Sequence, residues 1–381
     1  MQSSIRFFKR SFSLLKATVK DQSLAKVSVI AHRGASGRMP DHTLATYKAA
    51  FETGADWIEL DCHSTLDGEL VINHDIELGE TTDVADWVWA APLRTRTVAP
   101  CNDGETDIME GWMVSDFTLP QLKKLRVRMR HVERSQEFNL QFQIPTVSET
   151  CELLQEMINE INKNSSHEWK KEEWLQARND FVLQHGHARG NLNVGLYIET
   201  KRPEWYRSIG LPLEENLVDC IESSSFNGPI IIQSFEDDSL HRIHALKPEW
   251  ATVRLLTFED VEQHITNGTF DEYCKQLSDV GIKGIGPSKL NIVPDASNPP
   301  ERSEVIETAH KYNLFVHPYT FKSDVMHLDG VYGGNASQEF ARFFDLGVDG
   351  VFADFPGHAV FARELFNKAK VDGRSFEYLN E

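Results

Sequence analysis

Positive charge is what this 381-residue chain has least of: 39 Lys and Arg stand against 58 Asp and Glu, a formal charge of −19. Nucleic acid wants a basic footprint, so that class of partner is set aside. A small anionic substrate remains open only if local cations or a metal overturn the global field. Cysteine is sparse as well. Cys62, Cys101, Cys151, Cys220 and Cys274 are scattered, odd in number and without a CxxC spacing. That suits free thiols in a reducing compartment better than a disulfide framework or a zinc site, and the location expected from it is cytoplasmic. No apolar run reaches the roughly 18 residues of a transmembrane helix, and no GxGxxG follows the first strand-like run, which weakens a dinucleotide site.

What is present is an ample apolar fraction, 40%, enough for a sizeable core. Residues 1–25 form a basic N-terminal segment, and the first twenty hold five Lys/Arg and no acid. A transit peptide, a membrane-surface helix or a frayed terminus all fit it. The body of the chain is expected over 26–370.

The stretch Val29–Asp75 concentrates the unusual features. An apolar run ends in His32-Arg33-Gly34, and a helical pattern follows, with Thr43 placed as its N-cap and Gly54 as its stop. A second run ends in Glu59-Leu60-Asp61, and after the turn at Asp67-Gly68 an extended arm runs into His74-Asp75. Ionisable groups thus sit at the carboxyl ends of successive apolar strands. Buried strands seldom finish that way unless their ends face a polar site. Cys62, beside the acidic pair, points to the opposite face and reads as packing.

Further strand-like runs follow at Val194–Thr200, Pro229–Ser234, Ala251–Leu256, Lys283–Gly286, Asn313–His317 and Gly350–Asp354, with helical patterns between several of them. Together with Lys26–Ala31 and Asp56–Asp61 they make eight, the arm at Glu69–Asn73 set aside. Eight strand–helix units favour a closed (β/α)8 TIM barrel with its site at the carboxyl ends of the strands. Residues 76–192 lack such a rhythm and read as an insertion between the second and third barrel strands. Within it, Asn162–Arg189 is a charged, surface-lying stretch, and its His185 and His187 are a weak metal signal.

Glu59 and Asp61 are two apart on a strand and project to one face, the barrel interior. Two inward carboxylates repel and are costly to bury uncompensated. Glu199 and Lys201 repeat the spacing on the next parallel strand. The set reads either as a hard-metal site for Ca²⁺ or Mg²⁺ with an anion-binding cation beside it, or as an ion-pair network of Glu59, Asp61 and Glu199 with Arg33 and Lys201. His32 and His74 supply two imidazoles at the same mouth, the equipment for moving protons at a phosphate ester.

The ordered motifs HRG(x)nPxHT, ELD, the DG turn before INHD, IETK, QSF, GIGP, HPYT and DGVFADFP resemble those of glycerophosphodiester phosphodiesterases. The likeness is greatest to the longer form of bacterial periplasmic enzymes and covers roughly residues 27 to 365. It implies a (β/α)8 barrel that cleaves small glycerophosphodiesters to glycerol 3-phosphate and an alcohol with a divalent metal. It implies Glu59, Asp61 and Glu199 as metal ligands, His32 and His74 as the acid–base pair, and Arg33 and Lys201 on the phosphate. His317 of HPYT is expected to line the pocket. The resemblance also implies attack by the neighbouring glycerol hydroxyl, giving a cyclic phosphate that water opens. Asp41 stands where the family usually has Glu, one methylene longer, so its reach toward Arg33 or the metal's surroundings is the open point. Two alternatives stay in view: a lysophospholipase D-like enzyme on the same barrel, expected to show an apolar ramp at the mouth, and a retired barrel that binds without catalysis.

Overall fold

The computed structural model describes residues 27–100, 106–163, 194–294 and 303–374. The basic N-terminal segment, Cys101 and the pair His185 and His187 lie outside the described residues. Eight parallel strands form the expected barrel: β1 (Ser28–Ala31), β2 (Trp57–Ser64), β6 (Gly195–Thr200), β7 (Ile230–Ser234), β8 (Ala251–Leu255), β9 (Gly284–Gly286), β10 (Phe315–Val316) and β11 (Gly350–Ala353). They pair in chain order, and β11 returns to lie beside β1, in register from Ser28 with Gly350 to Ala31 with Ala353. The remaining seam, between β10 and β11, is bridged by Asp349. Its N–H donates to the Val316 carbonyl at 3.0 Å while its carboxylate accepts from the Val316 N–H at 2.8 Å.

Alternation along these strands divides the interior into floor and mouth. Ile30, Trp57, Tyr197, Ile231, Val253, Phe315 and Phe352 pack together as an apolar floor, with the Trp57 and Tyr197 rings edge to face at 5.9 Å. Two residues further along β1, β2, β6, β7 and β11 the inward positions become His32, Glu59, Glu199, Gln233 and Asp354. One period-2 pattern therefore builds both the barrel's stability and its chemistry.

The helix Leu44–Glu52 begins where expected, with Thr43 Oγ1 accepting from the Thr46 N–H at 3.2 Å. The arm β3 (Leu70–Ile72) pairs antiparallel with the end of β2 and stays outside the barrel path. The expected insertion of 76–192 is not one block. Its helix Val147–Lys163, opened by reciprocal bonds between Thr146 and Glu149, packs against Leu44–Glu52 and Leu213–Ser223 and so belongs to the barrel's outer ring. The segment ahead of it carries a hairpin, β4 (Thr95–Pro100) with β5 (Thr106–Gly111), and a satellite core of Leu78, Val84, Val114, Phe117, Leu122, Leu125 and Val127. No helix among the described residues is long and apolar enough to cross a membrane. Cys62, Cys151, Cys220 and Cys274 are free thiols, and Cys62 is fully buried in the packing outside the barrel.

Candidate active site

β2 carries Glu59 and Asp61 inward, and the register sets Asp61 opposite Glu199 of β6. One oxygen from each of the three carboxylates lies within 4.8 Å of the others, and all three side chains are buried. Their partners are few. Glu59 accepts from the Arg33 backbone N–H at 2.7 Å and from Gln233 Nε2 at 3.3 Å. Asp61 Oδ2 accepts from His42 Nε2 at 2.8 Å, while Asp61 Oδ1 is buried without a hydrogen bond. Lys201 Nζ lies 2.9 Å from Glu199 and 3.9 Å from Asp61 Oδ1.

The electrostatics match that crowding. Burial, and after it the charge of Asp61, pushes the Glu59 carboxyl well above the usual range. Burial also lifts Glu199 to about 7 against the pull of Lys201. For Asp61 burial works the same way, but Lys201 and then His42 hold it low. Three buried carboxylates with one unsatisfied oxygen fit a hard cation taking oxygen ligands, and such a cation would relieve the crowding that raises Glu59 and Glu199.

The loop after β1 places the next groups. Arg33 and His42 both adopt left-handed backbone, with φ of 56° and 54°, and the His42 N–H donates to the Arg33 carbonyl at 3.1 Å. Between them Gly34 has φ 85°, and a Cβ there would overlap Thr46. Only glycine lets the loop fold this tightly onto its helix. Strained non-glycine backbone concentrates at functional sites. Here it brings Arg33 Nε to 4.0 Å from Asp61 and His42 onto the same carboxylate.

His32 and His74 are built alike. His32 Nδ1 sits 2.7 Å from Asp354 Oδ1, and His74 Nδ1 sits 2.5 Å from Asp75 Oδ1. An ionised carboxylate only accepts, so each Nδ1 carries the proton and each Nε2 keeps its lone pair for chemistry. Burial, then the Arg33 charge, lowers both imidazoles, His74 to about 4. Both are neutral bases near pH 7. The carboxylates are held low in turn. Burial opposes the lowering of Asp75, but the His74 contact and Arg130 take it to about 2.

The structure therefore brings together His32, His74, Arg33, Lys201, Glu59, Asp61 and Glu199. His317 is corrected. It is fully buried, its Nδ1 is 3.2 Å from the Tyr197 hydroxyl, and its ring lies 4.5 Å from that of Phe315. It packs in the barrel floor, level with Gly350 at the start of β11, where an added Cβ would come within 2.7 Å of its ring. Phe321 is likewise core, stacked on Phe340 at 5.3 Å. Asp41 reaches Arg33 Nη1 at 3.3 Å and Arg130 Nη2 at 2.8 Å, so it pairs with the two arginines beside the three carboxylates. Sequence reasoning missed His42, Gln233, Asp75, Asp354, Arg130 and Arg134. The inward period from Phe352 pointed at Asp354, and PxHT contained His42; no pattern marked the two arginines.

A family model described as "Glycerophosphoryl diester phosphodiesterase family" matches residues 32–358. The chain belongs to this family. It is 30% identical to glycerophosphodiester phosphodiesterase GDPD6 of Arabidopsis thaliana, over 92% of this chain and 89% of that one. It is 26% identical to the glycerophosphodiester phosphodiesterase of Bacillus subtilis, over 91% and 87%. Among solved structures, an Oleispira antarctica phosphodiesterase in complex with the product sn-glycerol-3-phosphate shares the fold, with TM-score 0.54 and 19% identity over 88% of this chain and 96% of that one. This phosphodiesterase is thus a phosphoric diester hydrolase acting on glycerophosphodiesters. The full set of acidic and imidazole groups at its mouth is what a retired barrel would be expected to have lost.

Proposed function

We propose that this phosphodiesterase cleaves glycerophosphodiesters to glycerol 3-phosphate and an alcohol, with Glu59, Asp61 and Glu199 holding a divalent cation and His32 and His74 moving the protons. The observation that carries the reading is the doubled arrangement of the histidines. Each has Nδ1 on a carboxylate and Nε2 free, and each feels the charge of Asp61 in the three-carboxylate cluster. A hard divalent ion such as Ca²⁺ or Mg²⁺ supplies positive charge against the charge that develops on phosphoryl oxygens.

Arg33 and Lys201 flank the cluster and bind the phosphate anion. His32 Nε2 takes the proton of the glycerol hydroxyl next to the ester. That oxygen forms the new bond to phosphorus as the bond to the leaving alcohol breaks, and His74 gives the leaving oxygen its proton. The Arg33 and Lys201 charges help to hold His74 low. A bound phosphate offsets them and lets His74 carry that proton. The roles reverse when water opens the cyclic phosphate.

The test is release of glycerol 3-phosphate from glycerophosphocholine, with EDTA and then Ca²⁺ or Mg²⁺ added back. An analogue without the neighbouring hydroxyl should not be cleaved. No release under any metal condition would overturn the reading, and turnover of the analogue would overturn the cyclic route.

One observation favours lysophospholipids as further substrates. Val132, Val325 and Met326 are 86%, 74% and 68% exposed on two loops clasped by Glu133 and His327. The same loops reach the site through Arg134, which bonds both Asp324 and Asp354. Lysophosphatidylcholine belongs in the same assay.

A further inference from the structure

Arg130 and Arg134 come from a loop of the insertion, outside the barrel, yet each ends on a carboxylate that holds one of the two histidines. Arg130 Nη1 lies 3.2 Å from Asp75 Oδ2, whose other oxygen bonds His74, while its Nη2 lies 2.8 Å from Asp41. Arg134 Nη2 lies 2.6 Å from Asp354 Oδ2, whose other oxygen bonds His32. Arg134 also forks onto Asp324 at 3.2 and 2.7 Å and donates to the Ser36 carbonyl at 3.3 Å. The same relay, imidazole to carboxylate to guanidinium, is therefore made twice from residues four apart.

The loop can serve as a fixed reference because its base is tied down. Val127 N–H donates to the Phe142 carbonyl and Arg128 N–H to the Thr81 carbonyl, both at 2.8 Å. Met129 N–H donates to Asn139 Oδ1 at 2.8 Å, and Val127 sits in the satellite core. A carboxylate with one oxygen free can turn about its last bond and release the imidazole. With both oxygens engaged it holds the ring plane and the tautomer. Arg suits this task, since its planar fork reaches two acceptors at once where an ammonium is a single point.

We propose that Arg130 and Arg134 are positioning residues through which the insertion sets His74 and His32, making the insertion a working part of the active site. The proposal rests on the reading of His32 and His74 as the acid–base pair. Two variants of the full chain test it, Arg130→Met and Arg134→Lys, the second keeping a charge in its buried setting. In each, kcat for glycerophosphocholine should fall about 10–100-fold, the usual effect of losing an outer partner. In Arg134→Lys, KM should stay within about threefold, because Arg134 bonds neither phosphate-binding cation. Histidine ¹⁵N spectra give a readout independent of turnover. In the parent protein both histidines should show the Nδ1–H tautomer. Arg130→Met should turn only His74 into a tautomer mixture, and Arg134→Lys only His32.

Unchanged tautomers in both variants would overturn the proposal, whatever happens to kcat, and so would unchanged kcat in both. If Arg134→Lys does not fold, Arg130→Met decides alone. If the parent protein releases no glycerol 3-phosphate but the selective tautomer changes occur, the acid–base reading fails and the positioning relay stands.

Discussion

Replacing Glu199 by Gln should stabilise the metal-free protein at alkaline pH, although it removes the carboxylate's ion pair with Lys201. In the folded chain burial lifts Glu199 from its ordinary 4.5 to about 7, Lys201 notwithstanding. Between those values the folded state holds a proton that the unfolded chain has released. Stability tied to that proton is present below about pH 5 and is lost as the pH rises through 7. At about 1.36 kcal/mol per pH unit, the loss approaches 3 kcal/mol by pH 8. Gln cannot ionise and escapes it. Unfolding entropy of about 2.1 cal/mol/K per residue over this length is about 0.8 kcal/mol/K, so 3 kcal/mol moves Tm by about 4 °C. In EDTA, Glu199→Gln should therefore melt about 4 °C above the parent protein at pH 8 and together with it at pH 5. Taking the difference between the two proteins cancels every other titrating group. Adding Ca²⁺ or Mg²⁺ should raise the parent's Tm most at high pH, where the carboxylates are free of protons, and raise the variant's less. A variant that melts below the parent at pH 8 in EDTA, or a metal response that does not grow with pH, would refute the account of the triad as a charge-frustrated cation site.

Other expectations follow from single contacts. His74→Ala should abolish glycerophosphocholine turnover while the Tm response to added metal persists, and a lost metal response would make His74 a ligand. Gly195→Ala places a Cβ against the Trp57 ring in the barrel floor; overpacking there should cost about 1–3 kcal/mol in urea unfolding, and a neutral result would mean the floor is looser than its rings suggest. His63, buried against the Tyr206 hydroxyl at 3.0 Å, is lowered by burial to about 3. The unfolded chain binds that proton below about 6.5, so stability should decline by up to about 1.4 kcal/mol per unit as the pH falls from there. His63→Gln should show a shallower decline, and an unchanged slope would assign the acid sensitivity elsewhere.

The barrel was legible because eight short strand-like runs are separated by helical patterns, and the period of two within a strand sets which side chains share a face. The same period identified Glu59, Asp61 and Glu199, since inward carboxylates at strand ends are costly without a purpose. It did not place His317, which was assigned to the pocket from the resemblance of HPYT and packs instead against Phe315 and Tyr197. Nor does a strand period name partners across the fold. Asp75 and Asp354 were visible in INHD and DGVFADFP, but their pairing with His74 and His32 depends on closure. Arg130 and Arg134 sit in a segment with no period at all, held by backbone bonds that leave no trace in composition. The helix Val147–Lys163 was assigned to the insertion for the same reason, its barrel-facing role being set by what it packs against.

His32 lies near the start of the chain and its carboxylate, Asp354, near the end, joined only when β11 zips against β1. During synthesis His32 leaves the ribosome more than 300 residues before its partner does. Until then a nascent chain can hold seven strands, the three carboxylates and His74 with its own aspartate, and still have His32 unoriented. On the proposed role of His32, catalysis thus reports on the last act of folding. A chain cut short before Gly350 loses the eighth strand and the orientation of His32 in a single stroke, so under the proposed role of His32 a partly made or clipped barrel should be silent rather than weakly active.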